Sequence, residues 1–139
     1  MNPLIFLDTN VLVYAYDIDE GDKHKKAQTI LRDCWNKENG AVSTQVIQEF
    51  YSAVTRKIPK SLPKKGARDV VRTYQAWPMH SITVDDIIDA SELEEKLKYS
   101  FWDSLIIVAA QRTGAELLFS EDMQDGQQIG TLRIVNPFK

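Results

Sequence analysis

Cysteine and long apolar runs are the features that this sequence has least of. Its single cysteine, Cys34, excludes an internal disulfide framework and suits a reducing compartment. The N-terminus carries no basic segment, and its first apolar run stops at Asp8, so we expect neither a signal peptide nor a membrane span. A cytoplasmic protein with no membrane contact is the resulting expectation.

Several common catalytic motifs are also missing. The chain has no Walker loop, no Gly-x-Gly-x-x-Gly motif and no Gly-x-Ser-x-Gly elbow. Its two histidines and one cysteine are scattered, which excludes the ligand spacing of a zinc site. Any chemistry must therefore come from other side chains.

The composition is that of one ordinary globular domain of 139 residues, 43% hydrophobic and 27% charged. The net charge of −3 hides an uneven distribution, because the segment 56–72 is basic and the segment 85–95 is acidic. The basic segment is either a surface for a polyanion or a solvated helical face.

Apolar periodicity predicts alternating strands and helices. The expected strands are 4–7, 41–43, 79–84, 116–119 and 132–135. The expected helices are 11–16, 23–37, 44–57, 64–76, 84–97 and 101–113. Asn10 is a plausible N-cap of the first helix, and the last helix is apolar nearly all round, which predicts burial at the centre of the fold. The alternation predicts a parallel sheet with helices on both faces.

Four acids occupy positions where an acid needs an explanation: Asp8, Glu49, Asp103 and Asp122. Each has an ordinary alternative role, as a helix cap, a boundary glutamate, a member of a capping box and a turn acid respectively. Two of them follow apolar strands, one begins the most apolar helix, and one lies early in a helix that follows a strand. In a parallel α/β sheet all four places lie at the carboxyl edge.

Four carboxylates at one edge would repel each other, and a divalent cation removes that repulsion. Because all the ligands would be oxygen atoms, Mg²⁺ or Mn²⁺ is expected rather than zinc. A carboxylate-held cation of this kind suits phosphoryl chemistry.

The sequence resembles PIN-domain proteins and, among them, VapC-type toxin ribonucleases. The resemblance runs nearly end to end. It is carried by Leu7-Asp8-Thr9-Asn10, Gln48-Glu49-Phe50, Phe101-Trp102-Asp103-Ser104-Leu105-Ile106 and Leu118-Phe119-Ser120-Glu121-Asp122. It implies a single PIN-like domain over 1–139, with a three-layer α/β/α fold and a five-stranded parallel sheet.

The resemblance also implies an Mg²⁺- or Mn²⁺-dependent endoribonuclease that is the toxin of a toxin–antitoxin pair. Asp8, Glu49, Asp103 and Asp122 would be its catalytic and metal-binding tetrad. Supporting groups that orient the acids or a water would be Thr9, Asn10 and Ser120, and Asp125 is left open as a further member. The family expectation adds a homodimer and a small antitoxin.

An RNA substrate would follow the basic segment, where the candidate contacts are Arg56, Lys57, Lys64, Lys65 and Arg68. Aromatic residues there could stack bases or could belong to the core or a dimer contact: Tyr51, Tyr74 and Trp77.

Three other functions stay open: a housekeeping RNA-processing nuclease, a catalytically silent interaction module, and a phosphatase with Asp8 as nucleophile. A phosphatase of that kind would require an aspartate two residues after Asp8, where this sequence has Asn10.

Overall fold

A computed structural model describes residues 2–139, and within them a six-stranded sheet forms the centre of the molecule. The strands are β1 (Ile5–Leu7), β2 (Gly40–Ser43), β3 (Met79–His80), β4 (Leu117–Phe119), β5 (Gln128–Ile129) and β6 (Leu132–Val135). Their order across the sheet is β3-β2-β1-β4-β6-β5. Neighbouring strands are parallel except for β5 and β6, which are antiparallel.

Six α-helices connect these strands within the same residues. They are α1 (Thr9–Tyr14), α2 (Asp22–Lys37), α3 (Thr44–Arg56), α4 (Lys64–Thr73), α5 (Val84–Leu97) and α6 (Phe101–Arg112). Side-chain caps begin four of them. Asp8 accepts from the Thr9 N–H at α1, Ser43 from the Val46 N–H at α3 and Ser100 from the Asp103 N–H at α6. Thr83 forms a capping box at α5. None of the helices in residues 2–139 has the length and apolarity to cross a membrane.

The core lies where β1 and α6 meet. Phe6 and Leu7 of β1 are fully buried, and so is most of α6 from Ser104 to Ala110. Strand β1 pairs with β2 on one side and β4 on the other, with Leu7 opposite Phe119. The Asp8 N–H donates to the Phe119 carbonyl (3.0 Å), so the ends of β1 and β4 are level at the carboxyl edge.

The predicted α/β architecture with five parallel strands is confirmed, but the sheet has a sixth strand and is mixed. Strand β5 lies between the two predicted strands 116–119 and 132–135, and at two residues it is too short to show a periodicity. Strand β3 ends at His80 rather than near Val84. The residues after His80 do not extend the strand, because the Ile82 N–H donates to the Thr44 hydroxyl (3.2 Å) and the Thr83 N–H donates to the Asp86 carboxylate (2.8 Å).

Two local predictions were wrong. Asp8, not Asn10, is the N-cap of α1, since its Oδ1 accepts from the Thr9 N–H. Helix α4 ends at Thr73 and continues as a 3₁₀ turn over Tyr74–Ala76. The predicted burial of α6 is confirmed from Ser104 to Ala110, and Trp102 in its first turn is the exception at 62% exposure.

Candidate metal centre

The fold places the four predicted acids at the carboxyl edge of the central strands. Asp8 directly follows β1, and Asp122 follows β4 by three residues. Glu49 lies in the second turn of α3, which starts where β2 ends, and Asp103 lies in the first turn of α6. Asp8 is buried, Asp103 is half-buried, and Glu49 and Asp122 are exposed.

Asp8 is held at both carboxylate oxygens. Its Oδ1 accepts from the Thr9 N–H (2.7 Å), and its Oδ2 accepts from the Ser120 hydroxyl (2.7 Å). The Ser120 oxygen in turn accepts from the Asp122 N–H (3.2 Å). Ser120 therefore joins the first and the fourth acid through one hydroxyl group.

Two neighbours of Asp8 hold the exposed acids. The Thr9 hydroxyl donates to Glu49 Oε1 (2.6 Å), and Asn10 Nδ2 donates to Asp122 Oδ2 (3.1 Å). The three residues predicted to orient the acids, Thr9, Asn10 and Ser120, thus each bind at least one of them. These contacts place α1 at the centre of the cluster.

Burial and mutual repulsion perturb the acids at this edge. Burial raises the pKa of Asp8 from 3.8 to about 7, and the negative charges of Asp103 and Glu49 raise it further against the hydrogen bonds that lower it. Burial also raises the pKa of Asp103, with repulsion from Asp122 and Glu49 adding to the effect. Asp8 and Asp103 are therefore each destabilised in their charged form by two of the other acids.

The donor chemistry of this cluster suits Mg²⁺ or Mn²⁺. Its side-chain ligands are carboxylate oxygens, and in residues 2–139 none of the four acids has an ion-pair partner to neutralise it. The same residues contain no ready-made group of three or more Asp, Glu, His or Cys side chains arranged around a cation.

Asp125 has partners away from the cluster. Its Oδ1 accepts from the Asn136 N–H (2.8 Å), and Lys139 lies 3.6 Å from its Oδ2. The Asn136 N–H, followed by the charge of Lys139, holds the pKa of Asp125 below its usual range. Asp125 thus ties its loop to the chain after β6.

Glu121 belongs to one of the four motifs but was assigned no role from the sequence, and the structure places it at the edge of the cluster. Its carboxylate accepts from the Tyr14 hydroxyl and pairs with Lys23 (2.8 Å), while its N–H donates to Asn10 Oδ1 (3.3 Å). These partners hold the pKa of Glu121 down despite its burial. Glu121 is neutralised, in contrast to Asp122 beside it.

Gln45 is a second residue that the sequence analysis missed. It is buried at the start of α3, and its Nε2 contacts both Glu49 Oε2 (3.5 Å) and the Trp102 carbonyl oxygen (3.2 Å). The spacing of four residues between Gln45 and Glu49 on one helix was the available signal.

A groove of about 530 Å³ lies between α3 and α4, in the predicted basic segment. Three arginines line it, Arg56, Arg68 and Arg72, over a floor that includes Ile47, Tyr51 and Val71. The other predicted contacts, Lys57, Lys64 and Lys65, are exposed on the same helix pair, and Lys65 lies 3.4 Å from Asp69.

The aromatic candidates for base stacking divide into two groups. Tyr51 lines the groove. Tyr74 and Trp77 are buried, at 1% and 7% exposure, and pack edge to face at 4.8 Å between ring centroids. Those two residues belong to the core and are not available to stack a base.

A mostly parallel α/β sheet with acids at its carboxyl edge and in the first turns of two helices defines a PIN-like domain. The chain belongs to the PIN-domain family, whose profile matches residues 5–124. No curated protein sequence gives a significant match.

Solved structures of toxins share this fold. VapC20 of Mycobacterium tuberculosis, described as a sarcin–ricin loop-cleaving toxin, has a TM-score of 0.63 and 18% identity over 85% of this chain and 91% of that one. A toxin–antitoxin complex from Klebsiella pneumoniae has a TM-score of 0.66 and 19% identity, over 96% of this chain and 97% of that one. VapBC2 of Rickettsia felis, bound to promoter DNA, has a TM-score of 0.60 and 19% identity, over 94% of this chain and 96% of that one. At sequence identities this low, the similarity to these structures shows a shared fold and nothing more.

Proposed function

We propose that this protein is a metal-dependent endoribonuclease that hydrolyses RNA phosphodiester bonds. The observation that carries the proposal is the burial of Asp8 at the carboxyl edge that also holds Glu49, Asp103 and Asp122, and the raised pKa of Asp8 agrees with it. A carboxylate buried among other carboxylates is destabilised unless a cation joins them. Membership of the PIN family, a family of nucleases, supports the same conclusion.

Asp8, Glu49, Asp103 and Asp122 would hold Mg²⁺ or Mn²⁺. When bound, such a cation makes water a stronger nucleophile at neutral pH and stabilises the leaving oxygen of the phosphodiester. Thr9, Asn10 and Ser120 would orient Glu49, Asp122 and Asp8 through the hydrogen bonds already described. Asp8 must release the proton that its raised pKa favours, so cation binding should weaken below pH 7.

The groove between α3 and α4 is the proposed RNA path. It begins near Glu49, and Arg56 lies seven residues further along the same helix, which is two turns away on the same face. Arg56 and Arg68 would contact phosphates from the groove walls, and Lys57, Lys64 and Lys65 would contribute from the exposed side. Phosphate contacts of this kind supply affinity and salt dependence.

A toxin role with a small antitoxin and a homodimeric assembly completes the proposal, and we place it in the cytoplasm. Structurally similar proteins were crystallised as toxin–antitoxin complexes, some of them bound to DNA. We treat residues 1–139 as one domain.

The test is cleavage of RNA by the purified protein with and without Mn²⁺. Wild type should cleave single-stranded RNA with Mn²⁺ and lose activity in EDTA, and Asp8→Asn should be inactive but folded. Asp125→Asn is the matched control, because Asp125 faces the C-terminal segment, and it should keep its activity.

Cleavage by Asp8→Asn at the wild-type rate would overturn the proposal. Wild-type protein that neither cleaves RNA nor binds Mn²⁺ at millimolar concentration in calorimetry would instead indicate the silent interaction module.

A further inference from the structure

Trp102 is an exposed aromatic residue beside the proposed metal centre. Its side chain is 62% exposed, and it directly precedes Asp103 in the first turn of α6. The two other tryptophans behave differently, since Trp77 is buried and Trp35 packs against it at 5.0 Å between ring centroids. Trp102 therefore presents a large apolar ring to solvent at the rim of the acidic cluster.

The position of Trp102 is fixed by contacts on either side. Gln45 donates to its carbonyl oxygen (3.2 Å), and the Ser100 hydroxyl caps the helix turn that carries it. The Phe101 ring meets the indole edge to face at 5.2 Å. A ring held in this way loses little conformational entropy when a flat ligand packs against it.

Gln45 links the backbone at Trp102 to the cluster. The same Nε2 that binds the Trp102 carbonyl oxygen also contacts Glu49, while Oε1 of Gln45 is buried and has no hydrogen-bond partner in residues 2–139. One buried side chain thus connects Trp102 to a proposed metal ligand and retains an unpaired acceptor at that place.

The other exposed apolar side chains of helices α5 and α6 do not lie next to Trp102. Helices α5 and α6 run antiparallel, because Arg112 at the end of α6 binds Asp86 at the start of α5 (3.2 Å). The other exposed apolar side chains of this helix pair are at the start of α5: Val84, Ile87 and Ile88. A helix of 14 residues is about 21 Å long. Trp102 is therefore at the opposite end of the pair from that patch, which favours a small flat ligand over a broad protein contact.

We propose that Trp102 stacks a nucleobase of the RNA next to the scissile phosphodiester. This inference rests on the proposed function and narrows its substrate class to RNA with an unpaired base at that position. Unpaired bases stack on aromatic side chains, whereas a base inside a duplex has both faces covered by its neighbours. Trp102 would set which nucleotide is presented to the acids, and the acids would act on its phosphate.

The experiment compares wild type, Trp102→Ala, Trp102→Phe and Trp35→Phe. Binding of a mixed-sequence single-stranded RNA of twelve nucleotides is measured in EDTA, by anisotropy of a labelled RNA and by quenching of protein fluorescence. Cleavage of the same RNA is then measured with Mn²⁺.

We expect Trp102→Ala to weaken binding by about 5- to 150-fold, the range that aromatic stacking supplies for one base. Trp102→Phe should retain most of the affinity but lose the RNA-dependent quenching. Trp35→Phe should bind and quench as wild type. A duplex of the same sequence should show no dependence on Trp102.

Wild-type affinity and cleavage in Trp102→Ala would overturn the inference and leave the nuclease proposal standing. Quenching through Trp102 without any cleavage by wild type would support the stacking site and reject the nuclease. A change from dimer to monomer in Trp102→Ala, seen by sedimentation, would assign the ring to a second copy and also overturn the inference.

Discussion

Replacing Asp8 by asparagine should stabilise the cation-free protein at high pH. The unfolded chain ionises this residue near pH 3.8, but burial raises its pKa to about 7 in the folded protein. Between those values the folded state holds a proton that the unfolded state has lost. The free energy of unfolding therefore falls as the pH rises from about 4 to about 7, and the loss is complete above pH 7.

The size of this effect follows from the two pKa values. A rise from 3.8 to about 7 corresponds to about 4 kcal/mol, which is the upper limit for the stability lost by ionising Asp8. Asparagine keeps the acceptor for the Thr9 N–H but changes the hydrogen bond with Ser120, which costs about 1 kcal/mol. We therefore expect Asp8→Asn to gain about 1–3 kcal/mol at pH 8 and nothing at pH 5.

Urea unfolding in EDTA at pH 5, 6, 7 and 8 measures this difference directly. Asp125→Asn provides a control of opposite sign, because the Asn136 N–H lowers the pKa of Asp125 and its charge stabilises the folded state at neutral pH. That variant should be less stable than wild type at pH 8. If Asp8→Asn shows the same decline between pH 5 and pH 8 as wild type, Asp8 does not carry a raised pKa.

Three further substitutions test contacts around the sheet. Ser120→Ala removes the hydroxyl that binds Asp8, so it should lower the free energy of unfolding in urea by about 1–2 kcal/mol. Because that hydrogen bond lowers the pKa of Asp8, its loss should also raise the pH at which the folded protein ionises Asp8. An unchanged pH midpoint for the stability loss would contradict this. Gly40→Ala would place a Cβ 2.5 Å from the buried Trp77 ring, and we expect a loss of about 1–3 kcal/mol and a lower melting temperature. Gly66→Ala, in α4, would place a Cβ whose nearest neighbour outside the helix backbone is Pro63 Cδ at 3.9 Å, so this variant should instead gain about 0.5–1 kcal/mol. Equal melting temperatures for the two alanine variants would refute this reasoning.

Periodicity predicted the main elements because each long helix buries a stripe of its own residues. Helices α2 and α5 begin and end within one residue of the predicted bounds. The short elements could not be predicted in the same way. Strand β5 depends on its pairing with β6, and β3 is shortened by the hydrogen bond between Ile82 and Thr44. Both are tertiary contacts that a local pattern does not contain.

The places of the four acids along the chain could be predicted, because strand ends and helix starts meet at one edge of a parallel sheet. Their hydrogen bonds could not. Nothing in the local sequence indicates that Thr9 binds Glu49, forty residues away, or that Ser120 binds Asp8. The exposure of Trp102 was missed for a related reason, since apolarity alone does not say which side of a helix start faces the core.

The two outermost strands of the sheet, β3 and β5, are each only two residues long. Such short edges leave few free backbone N–H and C=O groups for another chain to pair with, which protects the sheet against edge-to-edge aggregation. Strand addition is thereby disfavoured as a way of binding a partner. An antitoxin or a second copy of this chain should therefore assemble through helical surfaces, and its affinity should depend on side-chain contacts rather than on main-chain pairing.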